Sequence, residues 1–165
     1  ALLGVTWLMP VAGALLAWSM IRRGHRPARP GRSLLLCLLA ILVFGVGAFV
    51  AVGWITLQND GIFALMVAGS AAGLIALFSW TRLGLRLLVY GVLVRGLVIV
   101  LTFIAVNAEW GTHLEKPHPD VPPMEPLERA IGLSLVQGLV WVPLTLIFGG
   151  LVGALVALAF GRRRA

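Results

Sequence analysis

Charge is what this chain has least of: 12% of its 165 residues are Asp, Glu, Lys or Arg, against 60% hydrophobic ones. A water-soluble domain of this size cannot cover so much apolar surface with so few charges. A lone cysteine, Cys37, excludes an intrachain disulfide and any cysteine-based metal cluster, and its place inside an apolar run reads as a small buried hydrophobe. The chain contains no P-loop, no dinucleotide fingerprint and no HExxH sequence. No histidine lies inside a long apolar run, which excludes a haem ligated between helices. The intramembrane carboxylates that proton and cation pathways usually use are missing too. Ser70, in VAGSAAG, has no intramembrane histidine or lysine base, so it belongs to a packing face and is not a nucleophile.

What is present is oil and arginine, with a mean hydropathy of +1.02. Several uncharged apolar stretches reach the roughly 20 residues that cross about 30 Å of hydrocarbon. The expected fold is all-α: a polytopic transmembrane bundle forming one integral membrane domain over residues 1–165. Its five spans are predicted at about 2–21, 33–57, 62–80, 84–106 and 127–160, with a long outer loop at 107–126. RRGHRPARPGR joins the first two spans, QNDG (Gln58 to Gly61) makes a tight turn between the second and third, and TRLGLR connects the third to the fourth. Positive charge follows the first apolar run instead of preceding it, so that run reads as a retained helix and not as a cleaved signal peptide.

Sorting the charges by alternate connectors gives the orientation. Arg22, Arg23, Arg26, Arg29, Arg32, Arg82, Arg86, Arg162, Arg163 and Arg164, ten of the thirteen basic residues, fall on one side. All six acids fall on the other. The positive-inside rule then predicts N-terminus out and C-terminus in, and Trp18, Trp80, Trp54 and Trp110 sit beside the expected interfaces. The formal charge of +7 therefore reads as topology and not as a nucleic-acid footprint. On the basic face, Arg22, Arg23, Arg82, Arg86, Arg162 and Arg163 are expected to meet anionic lipid headgroups.

The last run exceeds the hydrocarbon thickness. Pro126 suits a first helical turn, Glu125 and Glu128 favour that helix's positive end, and its first turns are expected to stand outside the bilayer. Pro143 clashes with the Leu139 carbonyl and predicts a kink. Gly69 and Gly73, Gly149 and Gly153, and Gly45, Gly47 and Gly53 offer small faces for close helix packing, within the chain or against another subunit.

Arg95 stands near the middle of the fourth span, nine residues or about 13 Å of helix from Arg86. A charge there costs at least about 2.5 to 3.5 kcal/mol on insertion scales and must be compensated. Within the chain the candidates are Gln137, Asn107, Thr102 and carbonyls freed near Pro143. Outside it they are a partner's carboxylate, a headgroup or an anionic ligand. Arg95, Gln137, Asn107 and Trp110 form the predicted partner- or ligand-binding set.

The outer loop, NAEWGTHLEKPHPDVPPMEPLER, holds His113 and His118 on either side of Glu115. Imidazole with carboxylate is a workable divalent-metal set, although the spacing matches no known metal motif and the prolines favour a solvated or partner-docking loop. No other cofactor is expected.

The span VYGVLVRGLVIVLTFIAVNAEWG running into EWGTHLEKPHPDVPP resembles, over Tyr90 to Pro123, a group of small multi-pass proteins of the bacterial inner membrane. The resemblance implies a bacterial cytoplasmic-membrane location and no activity. The functional expectation is a non-catalytic membrane protein, an accessory or scaffolding subunit that meets other membrane subunits or its own copies. The alternatives are a transporter or channel for an anionic or amphipathic solute using Arg95, and an outer-surface metal-dependent enzyme using His113 and His118.

Overall fold

The computed structural model describes residues 6–53, 58–112 and 124–160. Among them every element is helical: α1 (Leu8–Arg22), α2 (Pro30–Gly53), α3 (Gln58–Ser79), α4 (Thr81–Ala108), α5 (Pro126–Val136) and α6 (Val142–Phe160). A π turn over Gln137–Trp141 joins α5 to α6, so that Pro126–Phe160 is one helix of 35 residues. Together with Pro30–Ala51, Gly61–Ser79 and Thr81–Ala108 it makes four helices long and apolar enough to cross a membrane. The first, α1, is a shorter apolar helix of 15 residues, about 22 Å long.

The long final helix is the axis of the fold. Of its most apolar window 61% is buried, against 11% for that of α2. Around α6 pack α1, α2, α3 and α4, and α2 lies along α3. Small residues make this possible: Gly13 of α1 meets the backbone of Gly149 directly, and a Cβ at Gly149 would stand 2.7 Å from a Leu87 methyl of α4. Gly153 meets Leu83 and Ala17. Gly69 and Gly73 of α3 receive the final helix, at the Leu139 carbonyl and at Pro143. Both GxxxG pairs thus pack inside this chain, as helices must where lipid gives no hydrophobic drive to associate. Gly47 packs on Ala68, whereas Gly45 has nothing within 4 Å.

Local chemistry sets the boundaries. α1 ends in a Schellman motif: Gly24 has φ +80°, its N–H donates to the Ile21 carbonyl at 3.0 Å, and the His25 N–H donates to that of Met20 at 2.9 Å. Proline opens both α2 (Pro30) and α5 (Pro126), where a missing N–H costs nothing. Two expected connectors are helix instead. Gln58 to Gly61 form the first turn of α3, since residues of this kind suit a helix start as well as a tight turn, and 54–57 lie outside the described residues. Thr81 to Arg86 open α4, leaving Trp80 alone between α3 and α4. Gly84 permits that abrupt turn through its lack of a side chain, because a Cβ there would stand 2.6 Å from the Leu77 carbonyl. At the far end of α4, Glu109 adopts a left-handed φ of 51° and stops the helix.

Candidate functional site: a buried arginine on a π turn

Arg95 points into the bundle and is 7% exposed. Its Nη1 donates to Gln137 Oε1 at 3.2 Å, and the guanidinium carbon lies 4.7 Å from the centroid of the Trp141 ring. Those two partners are the first and last residues of the π turn. Pro143 accounts for the turn's position. It offers no N–H to Leu139 and would press its ring on that carbonyl in a regular helix, and a π turn relieves the conflict by taking up one extra residue. The expected kink therefore takes the form of a local widening. The displaced Leu139 carbonyl approaches α3 where a Cβ at Gly69 would stand 3.0 Å away, and the Thr145 hydroxyl donates to the Trp141 carbonyl at 2.9 Å.

The other predicted partners of Arg95 are engaged elsewhere. Thr102 donates to the Val98 carbonyl at 2.9 Å, and Asn107 Nδ2 to that of Phe103 at 2.7 Å. Each satisfies its own helix. Trp110 lies exposed beyond the end of α4, its backbone N–H donating to the Ala105 carbonyl. Of the predicted binding set, the fold brings together Arg95 and Gln137 and leaves Asn107 and Trp110 at the surface. Trp141 was missed from sequence, though it stands four residues after the polar partner that was found. His113, Glu115 and His118 lie outside the described residues, and among the described ones no group of three metal-ligating side chains gathers.

At the opposite, basic end, the fold builds a second polar locus that sequence reading did not assemble. The Ser33 hydroxyl of α2 donates to the Ser79 carbonyl of α3 at 2.7 Å. Cys37 Sγ donates to Ser79 Oγ at 3.3 Å, and that hydroxyl donates to the Ala76 carbonyl at 2.7 Å. So Cys37 is buried as expected, but as part of a small polar tie between helices. Over it opens a cavity of about 310 Å³ whose lining includes Arg29, Arg32 and Arg82. Among the arginines predicted for headgroups, Arg82 lines this cavity, Arg22 and Arg23 are exposed at the end of α1, and Arg86 borders a crevice between α1 and α4 with Tyr90. Arg162 and Arg163 lie outside the described residues.

The chain matches no protein-family model, no curated protein and no solved structure.

Proposed function

We propose that the chain is a non-catalytic integral protein of a bacterial cytoplasmic membrane, with five spans, N-terminus out and C-terminus in, acting as an accessory or scaffolding subunit of a larger complex. The observation that favours this reading over transport is the enclosure of Arg95, which turns a residue expected to face a partner toward its own chain. Its one mid-membrane charge is 7% exposed and set between Gln137 and Trp141, as a clamp joining α4 to the final helix. A transported anion would need that charge to face an open path. The contact of Trp18 near the end of α1 with Phe160 at the end of α6, rings 5.0 Å apart, supports an arrangement in which the two helices finish on the same side. For contact with other subunits, α2 offers the least-buried apolar helix and, at Gly45, an unfilled small-residue position.

Native mass spectrometry after extraction in mild detergent tests the reading. Recovery with other membrane chains, or as a defined oligomer, is the expected result. A chain recovered alone that supports anion flux in proteoliposomes, lost in Arg95→Leu, overturns it.

A further inference from the structure

Among the described residues, the cavity at the basic end is lined by arginines and by no acidic residue. From Ala1 to Asn59 and from Gly61 to Ala108 the sequence contains no acidic residue, and Asp60 belongs to the start of α3, the end away from the cavity. Arg29, Arg32 and Arg82 nevertheless converge on one space of about 310 Å³, a volume at the lower end of the range for small-molecule sites.

Its walls add positive potential. α2 begins at Pro30 and α4 at Thr81, both at the cavity, and neither has an acidic residue in its first turn. Trp80 gives α4 no side-chain cap. The first backbone donor of α4 to find its helical carbonyl is Gly84, bonded to Trp80 at 2.8 Å, so the N–H groups of the opening turn are left to outside acceptors. The floor is fixed by the Ser33 and Cys37 bonds to Ser79. Phe78, exposed on the rim, and Trp80 supply an apolar flank beside the charges.

We propose that this cavity binds a phosphate group, and that the phosphate is the headgroup of an anionic phospholipid. Forked guanidinium donors match phosphate oxygens in pairs, and two helix starts on the same space favour the same anion. A basic pocket between membrane helices with an aromatic flank suits a headgroup whose glycerol and acyl chains continue along the bundle. The site stands independently of whether the chain serves as an accessory subunit.

The test uses the full chain in mild detergent, with native mass spectrometry reading retained phosphatidylglycerol against phosphatidylcholine. Wild type should retain the anionic lipid in preference by about tenfold or more, from two to three suitably placed arginines. Arg32→Gln with Arg82→Gln should bring the ratio close to one, and Lys116→Gln with Arg129→Gln, an equal charge change among residues that do not line the cavity, should leave it within about twofold. An undiminished ratio in the first pair, or equal losses in both pairs, overturns the site. Should the glutamine pair not fold, Arg32→Lys with Arg82→Lys keeps the charge and loses the forks; it should show a partial loss, and an unchanged ratio counts against the proposal. Millimolar inorganic phosphate distinguishes the source. Retained phosphatidylglycerol that phosphate does not remove supports a headgroup, whereas phosphate bound by wild type and lost in Arg32→Gln with Arg82→Gln, with no preference for phosphatidylglycerol, keeps the phosphate site and overturns the lipid as its occupant.

Discussion

Arg95 Nη1 and Gln137 Oε1, 3.2 Å apart, join two helices across 42 residues of sequence. In hydrocarbon the bond matters chiefly through the cost of leaving a buried guanidinium donor unmade. Gln137→Leu should destabilise the protein by about 1–3 kcal/mol. Arg95→Leu with Gln137→Leu should lose less than the sum of the single changes, with a coupling of about 1 kcal/mol, since neither partner is then stranded. Thermal unfolding in detergent across the four-variant cycle measures it. Strict additivity would show that the two side chains do not depend on each other.

Trp141 holds the same guanidinium by its ring face, 4.7 Å from the centroid. Attraction to that face follows the ring's electrostatic strength, so Trp141→Phe should cost less than Trp141→Leu, the latter by about 0.5–2 kcal/mol. In an Arg95→Leu background the phenylalanine and leucine variants should lie closer together. If the gap between them persists there, Trp141 acts through packing alone.

How far these contacts were legible differs by residue. Gln137 was identifiable because a polar side chain in an apolar span needs a partner, and Arg95 needed one as well. Trp141 was not, since tryptophan suits lipid, core and interface alike, and only the π turn fixes where it faces. Pro143 announced a disturbance; whether kink or widening depended on Gly69 and Gly73 of another helix accepting the displaced carbonyl and the proline ring. Gly84 misled in the opposite sense: read as part of a connector, it is a helix residue that lets α3 and α4 meet with Trp80 alone between them. The basic cavity could not be read in advance at all, because Arg32 and Arg82 lie 50 positions apart and come together only when Ser33 and Ser79 do.

Glycines in this bundle should separate sharply by what surrounds them. A Cβ at Gly149 meets Leu87 at 2.7 Å and the Met9 carbonyl at 3.3 Å, whereas one at Gly96 has nothing within 4 Å. Gly149→Val should therefore force α1 and α4 off α6 and cost several kcal/mol, about 1–3 or more for overpacking alone. Gly96→Ala should be neutral or stabilising by up to about 1 kcal/mol, from lower backbone entropy in the unfolded chain. Melting temperatures in one detergent rank the pair, and equal effects would mean that the α1–α6 crossing is not tightly packed.

Cys37 reports on the tie beneath the basic cavity. It is the only cysteine, is 0% exposed and lies on α2 one turn from Ser33, whose hydroxyl holds α2 to the Ser79 carbonyl at 2.7 Å. A maleimide can reach the thiol only when α2 and α3 separate locally, so labelling of the folded protein should be slow and should become fast in denaturant. Ser33→Ala removes the hydroxyl and leaves the Ser79 carbonyl without that donor. A lost bond of about 0.5–1.5 kcal/mol raises the open population, and with it the labelling rate, by roughly two- to twelvefold. Ser33→Thr, which keeps a hydroxyl, should label more slowly than Ser33→Ala. Intact-mass kinetics follow each variant directly. Rates that are the same for wild type and Ser33→Ala would mean that the serine bond does not hold the two helices together.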